Sequence, residues 1–205
     1  TAVHDGDDYV INGEKMWITN GTQADWMCML ANTSEGKPHQ NKSLIIVPMD
    51  AKGIHVEKKL EKMGMCSSDT ALIHFDNVRV PRSHLIGEME GLGFMQQMAQ
   101  FQEERIWGAA NAAAGLREAL NLTIQYCRDR KTFGQPLIDN QFIHFKIAEL
   151  SSEVEGLRSL VYRTVDLQME RNDPFDMEVV RLASMAKFKA GRLSREVMDW
   201  CVQFH

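Results

Sequence analysis

Hydrophobic and polar positions follow a short strand-like rhythm for about ninety residues and then change to a helical period. Tyr9-Val10-Ile11 and Lys15-Met16-Trp17-Ile18-Thr19 flank Asn12-Gly13. Asn-Gly between two such runs predicts a two-residue hairpin. Trp26 to Ala31 is a continuous apolar run, which predicts a strand buried on both faces. Asn32 to Lys42 is polar, carries Gly36 and Pro38, and reads as a loop. Ser43–Pro48, Ile54–Glu57 and Ala71–Val80 supply further strands. Short strands at this spacing point to an antiparallel sandwich or barrel rather than to βαβ units.

After Pro81 the pattern switches. From Gly91 a stripe of Phe94, Met98, Phe101, Ala109, Ala112, Leu116, Leu120, Ile124 and Cys127 marks a long helix. Phe133-Gly134-Gln135-Pro136 breaks it. A second helix runs from about Asp139 to Glu170, with Phe142, Phe145, Val154, Leu157, Val161 and Thr164 on one face. Arg171-Asn172-Asp173-Pro174 is the next turn. A third helix carries Val179, Leu182, Ala183, Ala186, Ala190, Leu193, Val197 and Trp200. Helices of roughly 30 residues are ~45 Å long, and short turns between them imply an antiparallel bundle. The expected class is α+β and multidomain: an antiparallel β-sandwich or barrel over 1–88, then a long-helix bundle over 89–205. No internal repeat or low-complexity tract is present.

Composition narrows the function classes. Of 205 residues, 44% are apolar and 25% charged, so the chain is neither disordered nor fibrous. The net charge is −5 and no Lys/Arg cluster offers a nucleic-acid footprint. The longest apolar runs are too short for a membrane-spanning helix. Cys28, Cys66, Cys127 and Cys201 are widely spaced and form no C-x-x-C pair, which argues for reduced thiols and against a zinc site. The seven His show no metal-ligand spacing, so no metal is expected. The chain opens on Thr1 in strand-like sequence and closes in Trp200–His205 without a helix stop signal, so an excerpt of a longer chain is expected.

Three segments could carry chemistry. Trp17 and Thr19 stand two apart on a strand, so an aromatic plane and a hydroxyl share a face that could hold a flat heterocycle. A half-buried strand Trp before a turn reads the same way. Arg130, Lys131 and Thr132 follow a helix end and could neutralise a diphosphate. They could equally complement the helix dipole. Glu103-Glu104-Arg105 interrupts an apolar, alanine-rich helix, where Glu104, on an apolar stripe that should face a dry cleft, would be a desolvated base. The alternative is an exposed glutamate pair with Arg105 as its ion partner. No P-loop, dinucleotide fingerprint or nucleophile elbow is present.

Together these segments resemble the acyl-CoA dehydrogenase family. Tyr9-x-Ile11-Asn12-Gly13-x-Lys15-x-Trp17-Ile18-Thr19-Asn20-Gly21 is similar to its flavin strand. Lys62-Met63-Gly64, Ser68-Asp69-Thr70 and Phe75-Asp76-Asn77-Val78-x-Val80-Pro81 resemble its later middle-domain strands. Arg130-Lys131-Thr132-Phe133-Gly134 with Gln141 resembles its FAD-diphosphate motif, and Val202-Gln203-Phe204-His205 the start of a Gln-x-x-Gly-Gly segment. Cys66 departs from the family, where many relatives carry Arg or Lys.

The resemblance implies removal of the Cα and Cβ hydrogens of an acyl-CoA thioester, with FAD as cofactor and electron-transfer flavoprotein as acceptor. Trp17, Ile18 and Thr19 would meet the flavin. Arg130, Lys131, Thr132, Phe133, Gln141 and Gln203 would meet the FAD of a neighbouring subunit, which implies a homo-oligomer, usually a dimer of dimers. Phe101 and Arg105 would line the acyl-CoA cleft. Glu104 matches the less common position of the catalytic base, as in long-chain and isovaleryl members. The implied setting is fatty-acid β-oxidation, in the mitochondrial matrix of a eukaryote or the cytoplasm of a bacterium. An oxidase delivering electrons to oxygen and a non-catalytic flavin-fold assembly protein are the competing readings.

Overall fold

The computed structural model describes residues 1–205, which separate into two compact units, Thr1–Met98 and Ala99–His205. The first unit is built from six strands: β1 (Ala2–Asp5), β2 (Asp8–Thr19), β3 (Trp26–Asn32), β4 (Lys42–Pro48), β5 (Ile54–Lys59) and β6 (Thr70–Pro81). They form an antiparallel four-stranded sheet in the order β1-β2-β6-β5 and a two-stranded antiparallel sheet of β3 and β4. Alternate residues of β2 and β6, among them Tyr9, Ile11, Ile73, Val78 and Val80, share one core with Met29, Ala31, Ile45 and Val47. Period-2 side chains dictate this: one face of each strand must be removed from water, at about 1.5–3 kcal/mol per large aliphatic side chain.

Two strand expectations are corrected. Asn12-Gly13 is not a hairpin turn but the middle of β2, where the register with β6 shifts between Ile11 and Gly13. The Asn12 side chain reaches across the ladder instead. Its Oδ1 accepts from Asn77 N at 2.8 Å, and Asn77 takes the left-handed conformation (φ 51°). The hairpin lies earlier, at Gly6-Asp7 between β1 and β2, where Gly6 (φ 65°) supplies the positive φ such loops need. Nor is β3 buried on both faces. Met29 and Ala31 are buried, while Trp26 and Cys28 are exposed, because a two-stranded sheet covers only one side.

The last strand leads through a short 3₁₀ turn at Arg82–His84 to α1 (Gly93–Asp129). A partly buried anchor holds this connection to the sheet. Tyr9 Oη donates to Glu90 at 2.6 Å, and His4 pairs with the same carboxylate. Burial first, and the Glu90 carboxylate second, push the Tyr9 phenol up to about 12. At the start of α1, Gly93 lies against the backbone of Ser43 and Leu44 so closely that a Cβ would stand 2.6 Å from the Ser43 carbonyl carbon.

The second unit comprises most of α1, a two-residue-strand hairpin of β7 (Lys131–Thr132) and β8 (Gln135–Pro136), α2 (Gln141–Arg171) and α3 (Met177–Phe204). The helices share one core, with Ala109, Leu116, Leu150, Leu157, Ala186 and Leu193 among its members. Asn140 caps α2 by accepting from Phe142 N, Asn172 (φ 47°) ends it in the left-handed region, and Asp176 caps α3 by accepting from Glu178 N and Val179 N. Eight α3 positions were expected on the inner face. Seven are buried, and Trp200 is partly buried at the edge. The phase of α2 differs from expectation at its start. Phe142 and Phe145 are exposed, and Ile143, Ile147 and Leu150 fill the core. No helix is long and apolar enough to cross a membrane.

Candidate functional site

The end of β2 carries the first group of expected site residues. Two residues of β2, Met16 and Trp17, oppose the single residue Leu72 of β6, so the strand bulges between Lys15 and Ile18. Trp17 takes φ 64° there and is 68% exposed. The bulge breaks the period of two, so the expected sharing of one face by Trp17 and Thr19 does not follow from strand alternation. Thr19 is exposed and Ile18 half-buried. Beside them lies a cleft of about 440 Å³ whose walls include Ile18, Thr19, Gly21, Trp26 and Cys28. Lys15 also lines it and donates to the Leu30 carbonyl at 2.7 Å; burial holds this ammonium below the usual lysine range.

A tight turn follows. Asn20 (φ 62°) donates its N–H to the Asp69 carbonyl at 3.2 Å. The Asp69 carboxylate accepts from Thr22 N at 2.7 Å, Thr22 Oγ1 at 2.8 Å and Gln23 Nε2 at 2.7 Å. These donors, the Thr22 amide first, hold the carboxyl below its ordinary value although Asp69 is only 4% exposed. Sequence reading assigned Asp69 no role. The available signal was a lone acid between Ser68 and Thr70 at the mouth of a strand.

The second group lies on α1. Glu104 was expected on an apolar stripe facing a cleft; within this chain it is exposed, as is Glu103. The buried line runs through Gln102, Ile106, Ala109 and Ala113, and Glu104 stands about 200° round from Gln102. Arg105 is half-buried and donates from Nη1 to Gln102 Oε1 at 3.0 Å. Arg105 pairs with neither glutamate, so the ion-partner alternative fails. Both carboxylates are left without a hydrogen bond or ion pair within the chain. Phe101 is half-buried one turn before Arg105.

The third group sits at the far end of the helical unit. Phe133 (φ 53°) and Gly134 (φ 84°) form the turn between β7 and β8, both with the positive φ of a type I′ loop. Arg130, Lys131, Thr132 and Phe133 are all exposed, and none of their side chains is engaged elsewhere. Cys127, Ile143, Ile147 and Phe204 pack the last turn of α1 against the first of α2 and the last of α3. This small core gathers the hairpin, Gln141 and Gln203 at one end. The set offers two cations, a hydroxyl and two amides, which is the donor chemistry a dinucleotide diphosphate requires. About 38 Å of continuous helix separates Glu104 from Asp129, where the hairpin begins.

Residues 1–78 match the family described as acyl-CoA dehydrogenase, middle domain, and residues 91–205 match acyl-CoA dehydrogenase, C-terminal domain. A cyclohexane-1-carbonyl-CoA dehydrogenase of Geobacter metallireducens is 37% identical over 205 residues, 99% of this chain and 52% of that protein. The mitochondrial short-chain specific acyl-CoA dehydrogenase of Mus musculus is 34% identical over 204 residues, 99% of this chain and 48% of that protein. The solved butyryl-CoA dehydrogenase of Megasphaera elsdenii aligns with a TM-score of 0.90 at 33% identity, covering 99% of this chain and 52% of that one. The chain therefore spans about half the length of the relatives it matches.

Proposed function

The chain belongs to the acyl-CoA dehydrogenase family, a family of FAD-dependent oxidoreductases, and from that premise we propose that the protein dehydrogenates an acyl-CoA thioester at Cα–Cβ with Glu104 as base. The carrying observation is the Glu104–Arg105 step. The guanidinium gives one N–H to Gln102, and the neighbouring carboxylate makes no bond within the chain. Glu104 takes the α-proton and becomes a neutral carboxyl. Arg105, half-buried beside it, seats the thioester side of the substrate, and Phe101 packs along the acyl cleft. FAD, when bound, would supply the acceptor for the β-hydride, with electron-transfer flavoprotein as the expected electron partner. Trp17, Ile18 and Thr19 would hold the FAD ring system, Trp17 by stacking and Thr19 as a hydrogen-bond donor.

The reading is a two-subunit one. Arg130, Lys131, Thr132, Phe133, Gln141 and Gln203 are too far along α1 from Glu104 to hold the diphosphate of the same FAD. They serve the site of a second copy, within a dimer of dimers. The expected domain division, 1–88 and 89–205, is kept as part of this proposal, with the middle domain presenting the ring side. The base position groups the protein with the long-chain and isovaleryl type.

The test uses two variants of the full-length protein, Glu104→Gln and Arg130→Ala, each of low activity alone. Refolded together, random pairing gives roughly a quarter of sites with both residues intact. Recovery of turnover to about that level, with enoyl-CoA formed and an artificial acceptor reduced, supports the reading. No recovery in the mixture places both residues in one subunit's site. Formation of peroxide without an added acceptor would move the assignment to an oxidase.

A further inference from the structure

We infer that Asp69 is a positioning residue for the flavin-facing end of β2. This rests on the reading that Trp17 and Thr19 meet FAD. Asp69 grips the turn after Thr19 at both ends. Its main-chain carbonyl accepts from Asn20 N, the residue directly following Thr19, while its side chain holds Thr22 and Gln23 through three hydrogen bonds. Thr70, its neighbour, pairs with Thr19 in the ladder. A buried carboxylate satisfied by a backbone amide, a hydroxyl and a side-chain amide is strongly favoured in one geometry and strongly disfavoured once a donor is lost.

The turn it grips has little freedom of its own to settle elsewhere. Asn20 is held at φ 62°. Gly21 donates its N–H to Ile18 O, and a Cβ on Gly21 would stand 2.8 Å from Ala71 Cβ and 3.0 Å from Ile73 Cδ1. On the other side of Thr19, the bulge holds Trp17 at φ 64°. Ile18 and Thr19 thus lie between two left-handed backbone positions, Trp17 fixed by strand pairing and Asn20 by Asp69. Such conformations persist only where the surroundings over-determine them. Asp69 sets the direction in which Thr19 is presented, and touches no cofactor atom itself.

The test is flavin binding by the full-length protein. Asp69→Asn keeps one acceptor oxygen and turns the other into a donor, which opposes the Gln23 side-chain amide when the oxygen stays on Thr22. It is expected to weaken FAD affinity at least tenfold and to change the shape of the bound-flavin absorbance. Thr22→Val, which removes one donor, is expected to weaken it a few-fold, and Thr22→Ser to restore it. Val78→Ala, a cavity in the same core away from the turn, provides a variant of comparable melting loss. If Asp69→Asn fails to fold, the Thr22 pair decides. An unchanged flavin spectrum and FAD affinity in Asp69→Asn, or changes no larger than those of Val78→Ala, overturn the inference while the FAD reading stands. Wild-type protein that binds no FAD overturns both.

Discussion

Arg130→Ala separates a cofactor contact from a structural one, because the structure bounds the structural cost. The Arg130 side chain is exposed and makes no ion pair. Its backbone, which stays in alanine, carries the local order: Arg130 N donates to Tyr126 O and Leu137 N donates to Arg130 O, both at 2.8 Å. What the guanidinium adds to the fold is complementarity to the C-terminus of α1, about 0.3–1 kcal/mol and screened by salt. That corresponds to a melting shift of at most about 4 °C in a chain of this size. A charge-assisted contact to diphosphate is worth about 1.5–3 kcal/mol, or roughly 10- to 150-fold in FAD affinity. Melting must be compared in the apoprotein, since loss of a stabilising ligand lowers the transition by itself. Calorimetric titration of apoprotein with FAD at two salt concentrations reads the affinity. Arg130→Lys should fall between, keeping the charge and losing the bidentate fork. A lower apoprotein melting temperature with undiminished FAD affinity would refute the reasoning and return Arg130 to the role of a helix cap.

Three further outcomes are expected. Glu104→Gln keeps shape and loses basicity, so stopped-flow bleaching of the flavin by acyl-CoA should slow by roughly 10²–10⁴-fold, while Glu103→Gln, about 100° round the helix, should be nearly silent; fast bleaching in Glu104→Gln would move the base elsewhere. The Tyr9 phenol is raised to about 12 in the folded protein, so its stabilising contribution is complete below its ordinary value near 10 and is lost as pH rises toward 12; Tyr9→Phe should flatten that part of the melting-versus-pH curve, and parallel curves would count against the anchor. Gly93→Ala gains about 1 kcal/mol of helix propensity but must move the backbone of Ser43 and Leu44; overpacking of about 1–3 kcal/mol wins, and urea unfolding should show a net loss.

The sequence was most legible where the pattern had both a strict period and punctuation. For α3 it had both: apolar residues from Val179 to Val197 hold one phase, and Asp176 caps the first turn. In α1 the phase was harder to read, because alanine and glycine fill both faces from Gly108 to Gly115 and carry almost no contrast. Glu104 stands off the buried line, which only the packing through Gln102 and Ile106 fixes. Phe142 and Phe145 misled through size, since bulk was taken for burial at a position where smaller Ile143 and Ile147 face inward. The Asn12-Gly13 signal is a local one, and a long-range bond from Asn12 to Asn77 overrode it. Of the site, the residue types and their order were legible. The bulge at Trp17 and the grip of Asp69 on Thr22 and Gln23 were not, because each depends on a partner some fifty residues away.

The backbone itself separates what serves the fold from what serves something beyond it. Seven non-glycine residues have positive φ, and three of them are asparagines, for which the conformation is cheap. Trp17 and Phe133 are the two aromatic members, and both side chains are exposed, Phe133 fully. A bulky aromatic at such a position costs of order 1–3 kcal/mol in strain, and its exposure recovers none of the gain from apolar burial. Glycine or asparagine would suit the bulge and the hairpin tip better if folding were the only demand. Contacts made outside the chain's own core, as the proposed function requires, would keep the aromatic rings there. Trp17 lies in the segment assigned to the flavin ring and Phe133 in the one assigned to the diphosphate of a neighbouring subunit's FAD. On the proposed two-subunit reading, the same cofactor would give one physical reason for both outliers.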